Sequence, residues 1–159
     1  MPLPCPANDF ALDAAALQAA AKTAGAIMLA NPCNPTGRVL PAAELAMLIA
    51  LCQREGLLLI LDQSFSSVIS DHEGWRRSVG EAFDKLVLID SFSKNHLMQG
   101  ARVAAALVPQ ALSPGIVAAH QTLVSAAPTP GQRLAHHALE LGHAMPDLSA
   151  QRALSLIHI

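Results

Sequence analysis

Short blocks of consecutive apolar residues alternate along the chain with segments whose apolar positions recur at helical spacing. The apolar blocks are AIMLA at 26–30, LLLILD at 57–62, the start of LVLIDSFSK at 86–94, and ARVAAALVP at 101–109. The first two, continuous and bounded by turn residues, predict strands buried on both faces, and the other two predict a third and a fourth strand. Between them, LDAAALQAAAK at 12–22 holds strong helix formers, with Asp13 early and Gly25 soon after its end. The segment 41–55 opens with Pro41, a favoured first helical residue, and ends at Gly56. Helical sequence returns at 114–124, breaks at Ala127-Pro128-Thr129-Pro130, and resumes from Gly131 to about Gly142.

Strands alternating with helices of about a dozen residues imply βαβ units, hence an α/β fold with a mostly parallel sheet and flanking helices. Ligands of such sheets sit beyond the carboxyl ends of the strands. The first three predicted strands end in polar residues: Asn31 to Asn34, Asp62, and Asp90 to Lys94. The candidate site lies at that edge.

Composition narrows the function classes. The 159 residues are enough for one compact domain, or part of a larger one. With 52% hydrophobic and only 14% charged residues, the chain suits a segment covered on several sides. No apolar stretch approaches the ~18 residues of a membrane span, and residues 1–10 lack the pattern of a signal peptide, so a soluble cytoplasmic protein is expected. The ten Lys and Arg are scattered and there is no Tyr for base stacking, which argues against nucleic-acid binding. Cys5, Cys33 and Cys52 lack metal or redox spacing and read as free thiols. Arg76-Arg77 reads as a solvated pair. His96, His120, His136, His137 and His143 read as surface or core histidines, and no metal site is expected.

Three motifs carry the chemistry: NPCNPTG at 31–37, LDQSF at 61–65 and SFSKNHLMQGAR at 91–102. Asp62 follows Asn34 by 28 residues, and Arg102 follows Lys94 by 8. In order, spacing and placement at strand ends, the set resembles the successive signatures of class I and II aminotransferases, pyridoxal-phosphate (PLP) enzymes of fold type I. The resemblance implies part of a fold-type-I large domain and PLP as cofactor. Lys94 would form the Schiff base, an amine being the nucleophile such chemistry requires. Asp62 would pair with the pyridine nitrogen and keep it protonated. By resemblance, Asn34 would donate to the ring phenolic oxygen, while Ser91, Ser93 and the guanidinium fork of Arg102 would hold the phosphate. Gly37 and Gly100 read as turn residues.

Phe65 departs from the family pattern, which often has a tyrosine three residues beyond the aspartate, donating to the phenolic oxygen. Without that donor, the lysine–cofactor imine is expected to hold its proton to higher pH than in a tyrosine-bearing relative.

The resemblance runs from about Asp9 to Leu141 and matches the middle of the family's large domain. The flanking regions, including the arginine that binds the substrate carboxylate, are expected in a longer parent that forms a homodimer. Residues 1–153 are read as the partial PLP-binding domain. Residues 154–159 (LSLIHI) are what CTG-TCT-CTT-ATA-CAC-ATC encodes, which resembles a sequencing adapter, and are expected to be non-native. The implied reaction moves an amino group from an amino acid to a 2-oxo acid, with the fragment inactive alone. A decarboxylase or lyase on the same scaffold, or an effector-binding domain of a transcription regulator, would keep the same lysine and aspartate.

Overall fold

A computed structural model describes residues 10–68 and 84–141. The elements are helix α1 (Ala14–Ala21), strand β1 (Ala26–Ala30), helix α2 (Ala42–Glu55), strand β2 (Leu58–Asp62), strand β3 (Leu86–Ser91), a single helical turn α3 (Phe92–Asn95), strand β4 (Ala104–Leu107), and helices α4 (Ser113–Val124) and α5 (Thr129–Leu141). Short 3-10 turns lie at Ser66–Val68 and Gln99–Ala101. Cys5, Arg76-Arg77, His143 and the segment 154–159 lie outside the described residues.

Local chemistry sets the helix ends. Asp13 caps α1, its Oδ1 accepting from the Ala16 amide at 3.0 Å. Pro41 stands one residue outside α2, at its N-cap, and Gly56 closes that helix in the left-handed region at φ 68°. There the Gly56 amide meets the Cys52 and Gln53 carbonyls, a C-terminal geometry that glycine adopts without a Cβ penalty.

The sheet order is β1-β2-β3-β4, the first three strands parallel. β4 pairs antiparallel with β3, matching Ser91 with Ala104 and Leu88 with Leu107. A parallel return would require a crossover to the opposite edge. Residues 92–103 instead turn on the spot, through α3 and one 3-10 turn.

Helices α1 and α2 cover one sheet face. Leu17, Leu45, Leu48, Leu59, Leu61 and Cys52 are at most 1% exposed between them. Each such leucine contributes roughly 1.5–3 kcal/mol of transfer free energy. The expectation of a strand buried on both faces fails for β1. Met28 in β1 is 60% exposed, and every residue of β4 is exposed. The reason is that, among the described residues, the main core lies on a single face. A smaller cluster of Phe92, Val103 and Ala135 joins α3 and the start of β4 to α5. Gly131 makes that approach possible, because a Cβ there would overlap the Ala101 carbonyl and lie 2.6 Å from Val103 Cγ2.

Burial pushes the Cys52 thiol up, from 9.0 to about 11. The unfolded thiol ionises near its ordinary value, so between these two pH values the unfolded chain binds fewer protons than the folded one. Stability therefore falls as pH rises through that window, by up to roughly 2–3 kcal/mol. Denaturant midpoints of the full-length protein measured on either side of the window should show this loss, and Cys52→Ala should flatten it. An unchanged slope in the variant would assign the loss to other groups. No helix among the described residues is long and apolar enough to cross a membrane.

Candidate active site

Parallel pairing of β1, β2 and β3 brings their carboxyl ends to one edge, and the reversed direction of β4 brings its start there too. Two backbone bonds carry the ladder beyond the strands: Asn31 N–H donates to the Asp62 carbonyl at 2.8 Å, and Gln63 N–H to the Ile89 carbonyl at 2.7 Å. The residues singled out by the motifs fall at these strand ends or on the segments that leave them.

The loop after β1 is held at several points. Buried Asn31 accepts from the Leu40 amide at 2.8 Å through its side-chain oxygen. Within the loop, Cys33 N–H donates to the Arg38 carbonyl, and Gly37, at φ 68°, donates to the Cys33 carbonyl at 2.7 Å. Arg38 grips Glu44 of α2 with two bonds of 2.9 and 2.6 Å, the forked geometry that makes such pairs directional. The Asn31-Pro32 and Asn34-Pro35 bonds are cis. Asn34 is left exposed near the loop's tip, with no side-chain hydrogen bond among the described residues.

At the end of β2, Asp62 Oδ1 accepts from the Ser64 amide at 2.9 Å and the Ser64 hydroxyl at 2.6 Å. One carboxylate oxygen is thus fixed, and the other has no partner among the described residues. Phe65 follows, half-buried. At the end of β3, Ser91 caps α3, its hydroxyl oxygen accepting from the Ser93 amide at 3.2 Å. This leaves the Ser91 hydroxyl proton available for donation. Lys94 is exposed on α3, and its Nζ stands 5.9 Å from the centroid of the Phe65 ring. That distance is within cation–π range. The structure therefore brings the lysine against the residue three positions beyond Asp62.

Arg102 sits in the left-handed region at φ 53°, two residues before β4, and donates from Nη1 to the Gln99 carbonyl at 3.1 Å. Its guanidinium is exposed and retains further donors. Together the edge presents one amine, one oriented carboxylate, one guanidinium, one exposed amide and two serine hydroxyls. Such a set can bind a polar ring at its nitrogen, an anionic group at a distance from it, and a carbonyl carbon at the amine.

Sequence reasoning passed over four supporting residues. Ser64 was findable, because a serine two residues after an aspartate at a strand end is a common Asx-turn partner. The Arg38–Glu44 pair and Asn95 carried no comparable signal, the partners of Asn95 lying 28 to 32 residues away or on another strand. Among the histidines, His96 stacks on Phe92 at 4.8 Å, while His136 and His137 both approach Glu140 on α5. Among the described residues no cluster of His, Cys, Asp or Glu could hold a metal ion.

The sequence matches the family described as aminotransferase class I and II over residues 1–153. It is 40% identical over 86 residues to histidinol-phosphate aminotransferase of Paramagnetospirillum magneticum, covering 53% of this chain and 23% of that protein. It is 33% identical over 128 residues to a probable N-succinyldiaminopimelate aminotransferase of Mycobacterium tuberculosis, covering 77% and 32%. The solved N-succinyldiaminopimelate aminotransferase of Mycobacterium tuberculosis superposes with a TM-score of 0.74 at 28% identity, over 99% of this chain and 40% of that one. The chain thus spans between about a quarter and a third of the length of these curated relatives. With the family matched across nearly all of its residues, and with the fold that family shares, the chain belongs to the class I and II aminotransferases.

Proposed function

We propose that the chain is part of a PLP-dependent enzyme that transfers an amino group from an amino acid to a 2-oxo acid, with residues 1–153 contributing part of the PLP-binding large domain. The observation that carries this reading is the approach of Lys94 Nζ to the Phe65 ring, three residues beyond the oriented carboxylate of Asp62. The donor set also fits the cofactor chemically. The buried amide nitrogens of Asn31 and Gln63 at this edge have no partner among the described residues, so the edge holds more polar capacity than those residues satisfy.

Bound PLP supplies an electron sink for the charge that develops at the substrate α-carbon. Lys94 would hold the cofactor covalently until the substrate amine displaces it, and the freed Nζ would then be the group that moves the α-carbon proton. Asp62 keeps a proton on the pyridine nitrogen, favoured by its negative charge and by the Ser64 bonds that aim it. Asn34 donates its amide to the ring oxygen. Ser91, Ser93 and Arg102 bind the phosphate. Assembly as a cytoplasmic homodimer, and a non-native origin for residues 154–159, belong to the same reading.

The test is to recover the complete parental gene, express its product, and record absorbance before and after borohydride reduction. A chromophore reduced onto Lys94 and shifted by amino acids is the expected result. A folded full-length protein that takes up no PLP would overturn the reading. Phe65 offers a finer check. Phe65→Tyr adds a hydroxyl that donates to the ring oxygen, stabilising it as the anion and weakening its hold on the neighbouring proton. One hydrogen bond is worth about 1 kcal/mol, so the pH midpoint of the chromophore's absorbance change should fall by about one unit. Superimposable titrations would remove Phe65 from the ring's surroundings.

A further inference from the structure

We propose that Asn95 is a positioning residue that staples the turn bearing Lys94 to the loop bearing Asp62 and Phe65; this rests on the function proposed above. Four partners from two other segments converge on its side chain. The Asn95 oxygen accepts from the Ser67 amide at 3.0 Å. Its nitrogen donates to the Gln63 carbonyl and the Ser66 hydroxyl, both at 3.1 Å, and to the Asp90 carboxylate. The partners fix the orientation of the amide, since Ser67 offers an N–H and Gln63 a carbonyl. Two hydrogens serve three acceptors, so they are shared and the group is held from three directions.

The staple spans the segments whose spacing matters for the chemistry. Gln63, Ser66 and Ser67 bracket Phe65 on the segment that follows Asp62, Asp90 is the next-to-last residue of β3, and Asn95 directly follows Lys94 in the chain. Pairing of β2 with β3 ends at Asp62 and Ile89, and among the described residues the backbone ladder continues beyond that point through the Gln63–Ile89 bond. α3 is a single turn and has little rigidity of its own. Asn95 supplies the missing cross-link and thereby sets where the lysine stands relative to the carboxylate.

Asn95→Ala in the full-length enzyme should lower kcat about tenfold while KM for the amino donor changes less than about twofold, because misplacing a reacting group costs rate rather than substrate affinity. In the PLP-free protein, deuterium exchange at the Ser67 amide should accelerate about tenfold, since the acceptor of that N–H is gone. The double variant Asn95→Asp with Asp90→Asn rebuilds a donor–acceptor pair between the two positions and retains an acceptor for Ser67. It should recover exchange protection and part of kcat. Unchanged kcat in a folded Asn95→Ala enzyme, or exchange at Ser67 equal to wild type, overturns the staple while leaving the proposed function standing. A loss confined to KM overturns it as well. Failure of the wild-type enzyme to take up PLP overturns the proposed function and this role together, and is read from the chromophore before any variant is compared.

Discussion

Lys94→Ala in the full-length enzyme will fold normally and lose turnover by roughly 10⁴-fold or more, at the upper end of what removing a positioned proton-transfer group costs. The fold should tolerate the change. Lys94 is exposed on a single helical turn, and its ammonium makes one described contact, with the Phe65 ring. Truncating such a side chain costs a few tenths of a kcal/mol in stability. The loss is therefore chemical: no remaining amine among the described residues of this edge can bond the cofactor or move the α-carbon proton. Steady-state rates, with borohydride labelling and peptide mapping in parallel, check it. A variant within tenfold of wild type, or a label that maps elsewhere in wild type, would sink the assignment of Lys94.

Asp62→Asn is the second large effect, and it separates charge from geometry. An asparagine oxygen can still accept from the Ser64 amide and hydroxyl, which now hold Asp62 Oδ1 at 2.9 and 2.6 Å. The loop should therefore keep its shape while the negative charge disappears. Without that charge the ring nitrogen is no longer held protonated, and the charge developing at the α-carbon is poorly stabilised. We expect kcat to fall about 10²–10³-fold, the scale of losing one preorganised electrostatic partner. Thermal stability should stay near wild type. A fall in rate accompanied by loss of the folded state would instead give the Ser64–Asp62 contacts a structural role. A kcat within about threefold would place another group opposite the ring nitrogen.

Much of this could be read along the chain because the signals are local. Apolar runs ending in Asn31, Asp62 and Asp90 marked strands, their alternation with helical segments marked a mostly parallel sheet, and their polar ends marked the edge where those ends meet. Asp13 and Gly56 marked helix ends through bonds to residues within four positions. The motif residues Asn34, Asp62, Phe65, Ser91, Ser93, Lys94 and Arg102 were legible because their order and spacing belong to the primary sequence itself.

What stayed hidden depends on contacts between distant segments or on which surfaces find cover. Periodicity cannot tell a strand covered on both faces from one covered on one, and so the apolar run of β1 predicts cover for Met28 although the helices pack mainly on a single face. Strand direction is equally silent in an apolar run. Only the short connection at 92–103, folded back through α3, made β4 antiparallel and returned Arg102 to the edge that holds Lys94. The same physics hid Asn95, an ordinary asparagine beside a lysine until folding brings Gln63, Ser66 and Ser67 within hydrogen-bond reach. Residue identity determined which chemistry this chain can offer. Packing decided which of those groups meet, because hydrogen bonds and burial act over a few ångströms of space regardless of separation along the chain.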